Sequence, residues 1–320
     1  MDLIMRDAVA ADLDQCLALA PDRFLYDAPH LDALRRMWAY IIASKAGEAG
    51  VMVDSRRPSE VLFFGVSVFV SDETAQRYHD LTCPALAYRM TEDWDRGLRP
   101  FLDFDEISAA NAASGLNIVV THYAFALAAG DDALGDKLRY ATYESFRKHH
   151  EGLNFRSFTN EVFAQGAKEM GRGWGFRVGE YSAEKLRAAG IPADRAPCVW
   201  MATREDARAP GAVFPNVLFR TFERPVFGFS PAEQDLLRLA LDGHTDESIA
   251  AATSASLSTT KRHFRTIYNK VQDATDARND PPTFKGPSMG TRGVEMRRQL
   301  LNYLRGHPEE LHPYGARRKK

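Results

Sequence analysis

The sequence predicts a mixed α+β protein, in which an N-terminal α/β domain is followed by an all-α C-terminal domain. Two apolar segments rich in β-branched and aromatic residues, 61–70 and 116–125, are typical of buried strands. Apolar residues recur at helical spacing elsewhere in this half, for example in residues 134–149. Residues 229–271, in contrast, contain three consecutive helical patterns. The length of 320 residues suits about two domains of the usual size.

The remaining elements of the N-terminal half follow from shorter patterns. Further strands are predicted at residues 3–6, 51–53, 155–158, 175–178 and 198–203, and further helices at 10–20, 31–45 and 160–170. Residues 71–115 are expected to form a packed irregular insert. We expect a domain at residues 1–210, a linker at 211–228 and a second domain at 229–320. The alternating apolar residues and prolines of the linker predict an extended segment that docks on the first domain.

The charges are distributed unevenly along the chain. Residues 1–228 hold 26 Lys and Arg against 32 Asp and Glu, whereas residues 272–320 hold 10 against 6. No apolar run is long enough to span a bilayer, and the N-terminus lacks a secretory signal, so a cytoplasmic protein without membrane contact is expected. The three cysteines are far apart, which favours reduced thiols over a disulfide framework or a metal site.

The last of the three C-terminal helices, predicted at residues 256–271, has two different faces. Its mostly apolar face contains Thr260, Phe264, Ile267, Tyr268 and Val271. The opposite face contains Ser258, Lys261, Arg262, Arg265 and Asn269. The helix contains basic residues and no acidic ones, and such a cationic, hydrogen-bonding face suits a DNA major groove. The alternative is an ordinary helical hairpin with a solvated cationic side.

The two preceding helices have clear start signals. Ser230, Pro231 and Glu233 predict an N-cap, a proline at the first helical position and a capping box. Gly243 is expected to end this helix, and Thr245 to cap the next one.

This window resembles the LuxR-type helix-turn-helix of bacterial transcription regulators. The matching positions are Glu233, Leu236, Leu237, Gly243, Thr245, Ile249, Ala250, Ser256, Thr259, Lys261, His263, Ile267, Tyr268 and Lys270. The resemblance implies that Lys261, Arg262 and Arg265 face the major groove. It also implies that Thr245, Ser256 and Thr259 lie near phosphates, and Ser258 and His263 complete the predicted DNA-binding set. For His263, packing or a phosphate contact is expected rather than base recognition.

The window also departs from the family. Thr253 stands at the position of a large aliphatic residue, and Thr260 at that of a β-branched aliphatic one, so its hydroxyl needs a partner. Ser254 replaces a usual glycine, which costs about 1 kcal/mol if the turn requires a positive φ. An insert predicted at residues 273–293 delays the fourth helix to 294–305 and puts the usual dimer geometry in doubt.

The N-terminal order β-α-α-β-β-β-α-β-α-β-β resembles the GNAT acetyltransferase fold. This resemblance implies a glycine-rich loop after the fourth strand that binds the pyrophosphate of the cofactor. Residues 128–136 lack the family's pattern and contain three aspartates, which would repel a pyrophosphate. The domain is therefore expected to be GNAT-like in shape, with no catalytic residues, cofactor or metal. His122 is interpreted as a hydrogen-bonded core residue, and His149 and His150 as solvent-facing residues at a helix end.

The leading functional hypothesis is a bacterial DNA-binding transcriptional regulator that is not an enzyme. Helix 256–271 would read the major groove, and the N-terminal domain would act as a non-catalytic sensor or dimerisation module. The expected partners are double-stranded DNA, a second copy of the chain and a small-molecule effector of unknown identity. The alternative is a CoA-dependent N-acetyltransferase fused to a DNA-binding tail. A third hypothesis is a ligand sensor without chemistry, in which the ligand favours one arrangement of the DNA-binding units.

Overall fold

The computed structural model describes residues 2–20, 26–126, 132–164, 166–219, 222–276 and 294–315. The chain divides into two compact units. Unit 1 comprises residues 1–150, 154–220 and 316–320, and unit 2 comprises residues 151–153 and 221–315. Unit 1 contains the strands, and the described part of unit 2 contains helices. The predicted fold class, mixed α/β with a helical C-terminal part, is thus confirmed.

A seven-stranded mixed sheet forms the centre of unit 1. Its strands are β1 (Leu3–Asp7), β2 (Gly47–Asp54), β3 (Arg57–Val70), β4 (Leu116–Phe125), β5 (Phe155–Val162), β6 (Arg177–Glu180) and β7 (Cys198–Thr203). They lie side by side in the order β1-β2-β3-β4-β5-β7-β6. Strands β4 and β5 are parallel, and every other neighbouring pair is antiparallel.

Nine α-helices are described in unit 1. They are α1 (Leu13–Leu19), α2 (Ala28–Ser44), α3 (Asp72–His79), α4 (Leu86–Asp95), α5 (Phe104–Ala112), α6 (Asp132–His150), α7 (Ala167–Gly173), α8 (Ala183–Ala188) and α9 (Val213–Leu218). Among the described residues, no helix is both long and apolar enough to cross a membrane.

Three predictions about this unit were wrong. The insert at 71–115 is not irregular, because it contains α3, α4 and α5. The side chain of Ser71 caps the start of α3, and that of Asp103 caps the start of α5. Residues 160–162 continue strand β5 instead of starting a helix, since they pair with β7. The extended conformation predicted for the linker is wrong at Val213–Leu218, which form helix α9.

Helices α1 and α2 pack on one side of the sheet. The indole of Trp38 on α2 is buried against Phe64 of β3, with ring centroids 5.1 Å apart. Leu34, Met37 and Ile41 of α2 are also buried, as the predicted apolar spacing requires.

A second aromatic cluster surrounds Phe214 of α9. The ring of Phe214 stacks on Trp174 at 5.9 Å and meets Tyr143 of α6 at 4.9 Å and Phe176 at 5.2 Å. These contacts hold α9 to α6 and to the segment between α7 and β6. They explain why a stretch predicted to be a linker is helical and packed.

Unit 2 contains four α-helices in its described part: α10 (Pro231–Leu241), α11 (Asp246–Ala252), α12 (Leu257–Asp276) and α13 (Val294–Gly306). A short 3-10 turn, Pro308–Leu311, follows α13. Phe264, Ile267 and Val271 of α12 are buried with Leu237, Ile249 and Leu300. The predicted insert begins later than expected because α12 continues to Asp276, and its residues 277–293 lie outside the described residues.

The predicted helix starts of unit 2 are confirmed. Ser230 and Glu233 form a capping box, and Thr245 Oγ1 accepts a hydrogen bond from the backbone N–H of Ser248 at 3.3 Å. Ser256 Oγ accepts from the N–H of Thr259 at 3.1 Å. Ser254 adopts φ = +50°, the left-handed conformation for which glycine is the favoured residue.

Candidate functional site

The parallel strands β4 and β5 separate in the middle of the sheet. They pair from Leu116 and Phe155 as far as Val120 and Asn160. Beyond this point β4 continues to Phe125 as a partner of β3, and β5 ends at Val162 as a partner of β7. The register between β3 and β4 shifts here, because Val66 faces His122 while Ser67 faces Val120. Thr121 is therefore an extra residue, and such a bulge bends the strand away from its neighbour.

Ionisable side chains are concentrated at the opening, the place beyond Val120 and Asn160 where β4 and β5 separate. Glu161, directly after the last paired residue of β5, is buried, and its carboxylate accepts hydrogen bonds from the backbone N–H groups of Ala85 at 2.9 Å and Leu86 at 2.7 Å. Burial raises the pKa of the Glu161 carboxyl to about 7. The two hydrogen bonds favour the ionised form and lower the pKa, but burial has the larger effect. The group therefore titrates near neutral pH.

On the neighbouring strand, His122 is fully buried next to the bulge. Its Nε2 is hydrogen-bonded to the hydroxyl of Tyr26 at 2.8 Å, and its ring lies edge-on to Trp38 at 5.0 Å. Burial lowers the pKa of His122 to about 3, so the imidazole is neutral at physiological pH. The prediction of a hydrogen-bonded core histidine is confirmed.

The hydroxyl of Tyr181 completes this group of titratable side chains. Burial, and in second place the adjacent Glu161 carboxylate, raise the pKa of Tyr181. Sequence reasoning missed Glu161 and Tyr181. The signal for Glu161 was weak, because residues 155–162 mix polar and apolar residues and also contain Arg156, and residues 160–170 were interpreted as a helix.

The two histidines at the end of α6 have different surroundings. His149 is partly exposed, as predicted. The expectation for His150 was wrong, because this residue is buried and its Nε2 is hydrogen-bonded to Ser67 Oγ at 3.2 Å. Burial lowers the pKa of His150, and the neutral imidazole acts as a packing and hydrogen-bonding group of the core.

The loop implied by the GNAT resemblance lies mostly outside the described residues. Residues 127–131 lie outside the described residues, and α6 begins at Asp132. Asp136, the fifth residue of α6, is paired with Arg139 at 2.6 Å. The ion pair offsets part of the negative charge that was predicted to oppose a pyrophosphate.

The predicted cationic face of α12 is exposed in the structure. Lys261, Arg262 and Arg265 are exposed, on the side opposite to the buried Phe264 and Ile267. Thr260, buried on the apolar side, satisfies its hydroxyl by donating to the carbonyl of Ser256 at 3.2 Å.

The remaining residues of the predicted set lie at the starts of α11 and α12. Ser256 Oγ is 2.9 Å from Ser258 Oγ and 2.8 Å from Thr259 Oγ1, and Thr245 caps α11. His263 is half-buried. Contact of these residues with DNA, the homodimer, the effector, the cytoplasmic location and the domain boundaries stay predictions.

Part of the chain is similar to several solved structures. No family model matches the chain, and no curated protein matches it. Among solved structures, a point mutant of the spermidine N-acetyltransferase SpeG from Vibrio cholerae has 12% identity and a TM-score of 0.38, covering 63% of this chain and 94% of that chain. An N-acetyltransferase from Staphylococcus aureus has 14% identity and a TM-score of 0.34, covering 63% of this chain and 99% of that chain.

A third match is described as histone acetyltransferase HPA2 and related acetyltransferase, from Corynebacterium glutamicum. It has 13% identity and a TM-score of 0.34, covering 63% of this chain and 95% of that chain. The predicted function as a non-enzymatic transcriptional regulator is corrected by these comparisons, because the similar structures named here are acetyltransferases and no LuxR-type domain is found. The sheet order, with its parallel pair β4 and β5 in the middle, is that of a GNAT-like mixed sheet in unit 1.

Proposed function

We propose that unit 1 is an N-acetyltransferase that transfers an acyl group from an acyl-CoA thioester to an amine. The proposal is carried by the opening between β4 and β5 past Val120 and Asn160, beside the bulge at Thr121. Parallel strands that stay paired leave no room for a ligand between them. Strands that separate provide a slot with backbone N–H and C=O groups at its walls, and an extended amide-containing chain can use such groups as an added strand does.

The described residues fit the cofactor in part. The strand opening suits the extended amide-containing arm of CoA. The first turn of α6, which directly follows the loop, offers the positive end of a helix dipole to a pyrophosphate. The aspartates of this region oppose that attraction, and the ion pair of Asp136 with Arg139 offsets part of the opposition. We therefore expect weak cofactor binding, with the arm contributing more than the pyrophosphate.

The chemistry requires a neutral amine and a group that takes its proton. When bound, acyl-CoA supplies an activated thioester, in which the carbon–sulfur bond breaks as the amide bond forms and CoA leaves as the thiol. Glu161 has the pKa that suits a general base at neutral pH, about 7, and lies directly after the last paired residue of β5. We assign the proton-accepting role to Glu161. The neutral His122 and its partner Tyr26 add no charge beside the bulge at Thr121.

The acceptor is proposed to be a cationic primary amine. Residues 1–228 hold more Asp and Glu than Lys and Arg, 32 against 26. A net negative charge raises the local concentration of cationic ligands and speeds their association. Since an ammonium group cannot attack a thioester, the enzyme must remove a proton before transfer, which is the task proposed for Glu161.

The experiment measures release of the CoA thiol by the full chain with acetyl-CoA and a panel of amines between pH 5.5 and 8.5. We expect activity to rise with pH through an apparent pKa near 7, since the base must be ionised. E161Q should lower kcat by about 100-fold or more. E310Q is the matched control, because Glu310 is a buried carboxylate of unit 2 that also accepts hydrogen bonds from two backbone N–H groups, those of Val226 and Phe227.

Two results would contradict the proposal. One is the absence of amine-dependent thiol release, together with no rise in melting temperature on adding acetyl-CoA. The other is an equal loss of activity in E161Q and E310Q, because the effect would then reflect general destabilisation.

A further inference from the structure

Three potential metal ligands converge in unit 2, which the proposed reaction does not involve. We name Glu223, His307 and Glu309 the His307 cluster; their candidate ligand atoms all lie within 4.8 Å of one another. Nδ1 of His307 is 2.9 Å from Oε1 of Glu309 and 3.9 Å from Oε2 of Glu223. The sequence predicted no metal site, because Glu223 is separated from the other two residues by most of the unit.

The imidazole of His307 is held in a fixed orientation. His307 directly follows α13, and its ring stacks on Tyr303 of that helix, with centroids 4.0 Å apart and planes inclined by 16°. This stacking presents Nδ1 to the two carboxylates. A preset ring orientation lowers the entropy lost when the imidazole binds an ion.

The burial of the Glu309 carboxylate is a second observation that indicates a bound cation. Its side chain is only 8% exposed, and in the described part of the chain its carboxylate has His307, a member of the same cluster, as its hydrogen-bond partner. A buried carboxylate normally accepts several hydrogen bonds or binds a cation, because its desolvation is costly. A carboxylate can accept about four hydrogen bonds, so the bond to His307 leaves Glu309 with acceptor capacity for a cation.

The distances suit a small ion between the three groups. Two ligand atoms at the Zn²⁺ distance of about 2.1 Å, in tetrahedral positions, lie about 3.4 Å apart. The separations of 2.9 Å and 3.9 Å lie on either side of this value. Glu223, whose side chain is 67% exposed, can make the required adjustment without disturbing the core.

We propose that the His307 cluster is a zinc site with three protein ligands, one imidazole nitrogen and two carboxylate oxygens, and a water in the fourth position. An imidazole ligand favours Zn²⁺ over Ca²⁺ and Mg²⁺, which prefer oxygen. The ion takes the place of the proton between His307 and Glu309. It ties Glu223, before α10, to the turn Pro308–Leu311 and stabilises unit 2 by binding the folded state alone.

The test titrates the metal-free full chain with ZnCl₂ by calorimetry, and with CoCl₂ by visible absorption, which reports the ligand geometry of the ion. We expect one equivalent of Zn²⁺ to bind. H307A should weaken binding by about 100-fold or more, and E223Q by about tenfold or more. E223Q changes an exposed side chain, so that a loss of binding there is not a loss of folding. H244A, which removes an exposed histidine of the same unit, is the control and should bind as the wild type does.

The proposal is overturned if no Zn²⁺ binds. It is equally overturned if H307A and E223Q bind as tightly as the wild type, or if H244A abolishes binding, because the ion would then be held by surface histidines. MgCl₂ at the same concentration should not compete with Zn²⁺, and effective competition would contradict the imidazole ligand.

Discussion

The carboxylate of Glu161, on strand β5, accepts a hydrogen bond of 2.7 Å from the backbone N–H of Leu86, the first residue of helix α4. The same carboxylate accepts a second hydrogen bond from the N–H of Ala85. One side chain therefore satisfies two backbone donors at the start of a helix, next to the point where β4 and β5 separate. Because burial still raises the pKa of Glu161 to about 7, its charge is costly and its titration falls in the physiological range.

The pH dependence of stability tests this environment. The folded-state pKa of Glu161 is above its value of 4.5 in the unfolded chain, so the folded protein holds the proton more tightly. The stabilisation is fully present below pH 4.5 and is lost as the pH rises through about 7, by about 3 kcal/mol in total. E161Q cannot ionise, but it keeps only one acceptor oxygen for the two backbone donors, so it should be less stable than the wild type at pH 5. Its free energy of unfolding relative to that of the wild type should then rise between pH 5 and pH 8.

Urea unfolding followed by tryptophan fluorescence measures this difference in unit 1 alone, because all four tryptophans, Trp38, Trp94, Trp174 and Trp200, lie there. An equal effect of the substitution at both pH values would show that Glu161 does not titrate between them.

The aromatic cluster around Phe214 should contribute measurably to unit 1. Phe214 is half-buried and contacts Trp174, Tyr143 and Phe176. We expect F214A to lower the free energy of unfolding by about 2 kcal/mol, less than the 3–5 kcal/mol typical of a fully buried phenylalanine. V213A is the matched control: the neighbouring Val213 is 63% exposed, and its loss should change stability by less than about 0.5 kcal/mol. Similar values for both variants in urea unfolding would mean that α9 is not packed through Phe214.

The turn between α11 and α12 stores a small strain at Ser254. Because Ser254 adopts φ = +50°, S254G should stabilise unit 2 by up to about 1 kcal/mol. A255G, at the next position, where φ is not positive, should destabilise the unit by up to about 1 kcal/mol through the greater entropy of the unfolded chain.

Hydrogen exchange of the α12 amides measures both effects, since 1 kcal/mol changes the exchange rate about fivefold. If S254G and A255G shift the exchange in the same direction, the positive φ is not the source of the effect.

The sequence predicted the features that depend on local chemistry. The caps of α10 and α11 and the buried side of α12 follow from residues three or four positions apart, and Ser254 was suspected because a glycine is usual there. The predicted strand ended at residue 158, before the true end of β5, because Asn160 and Glu161 are polar and no neighbouring residue indicates that β7 pairs with them. The structure explains their burial through contacts that are distant in sequence, such as that of Glu161 with Leu86.

The functional prediction failed for a related reason. The residues of the cationic face of α12 are close together in the sequence, and the functional prediction was based mainly on them. The candidate active site, in contrast, is assembled from Thr121 and His122 on β4, Glu161 on β5 and Tyr26 before α2. No short pattern unites these residues, so the sequence was interpreted as lacking a catalytic group.

The most direct test of the account follows an isotopically labelled acetyl group from acetyl-CoA to an amine, with the full chain at pH 7.5 and mass spectrometry of the products. The account predicts that the wild-type protein and E310Q form similar amounts of labelled N-acetylamine, in proportion to the protein added. E161Q should form about 100-fold less, or lower still. Formation of no labelled amide above the enzyme-free rate, for any cationic amine supplied, would contradict it.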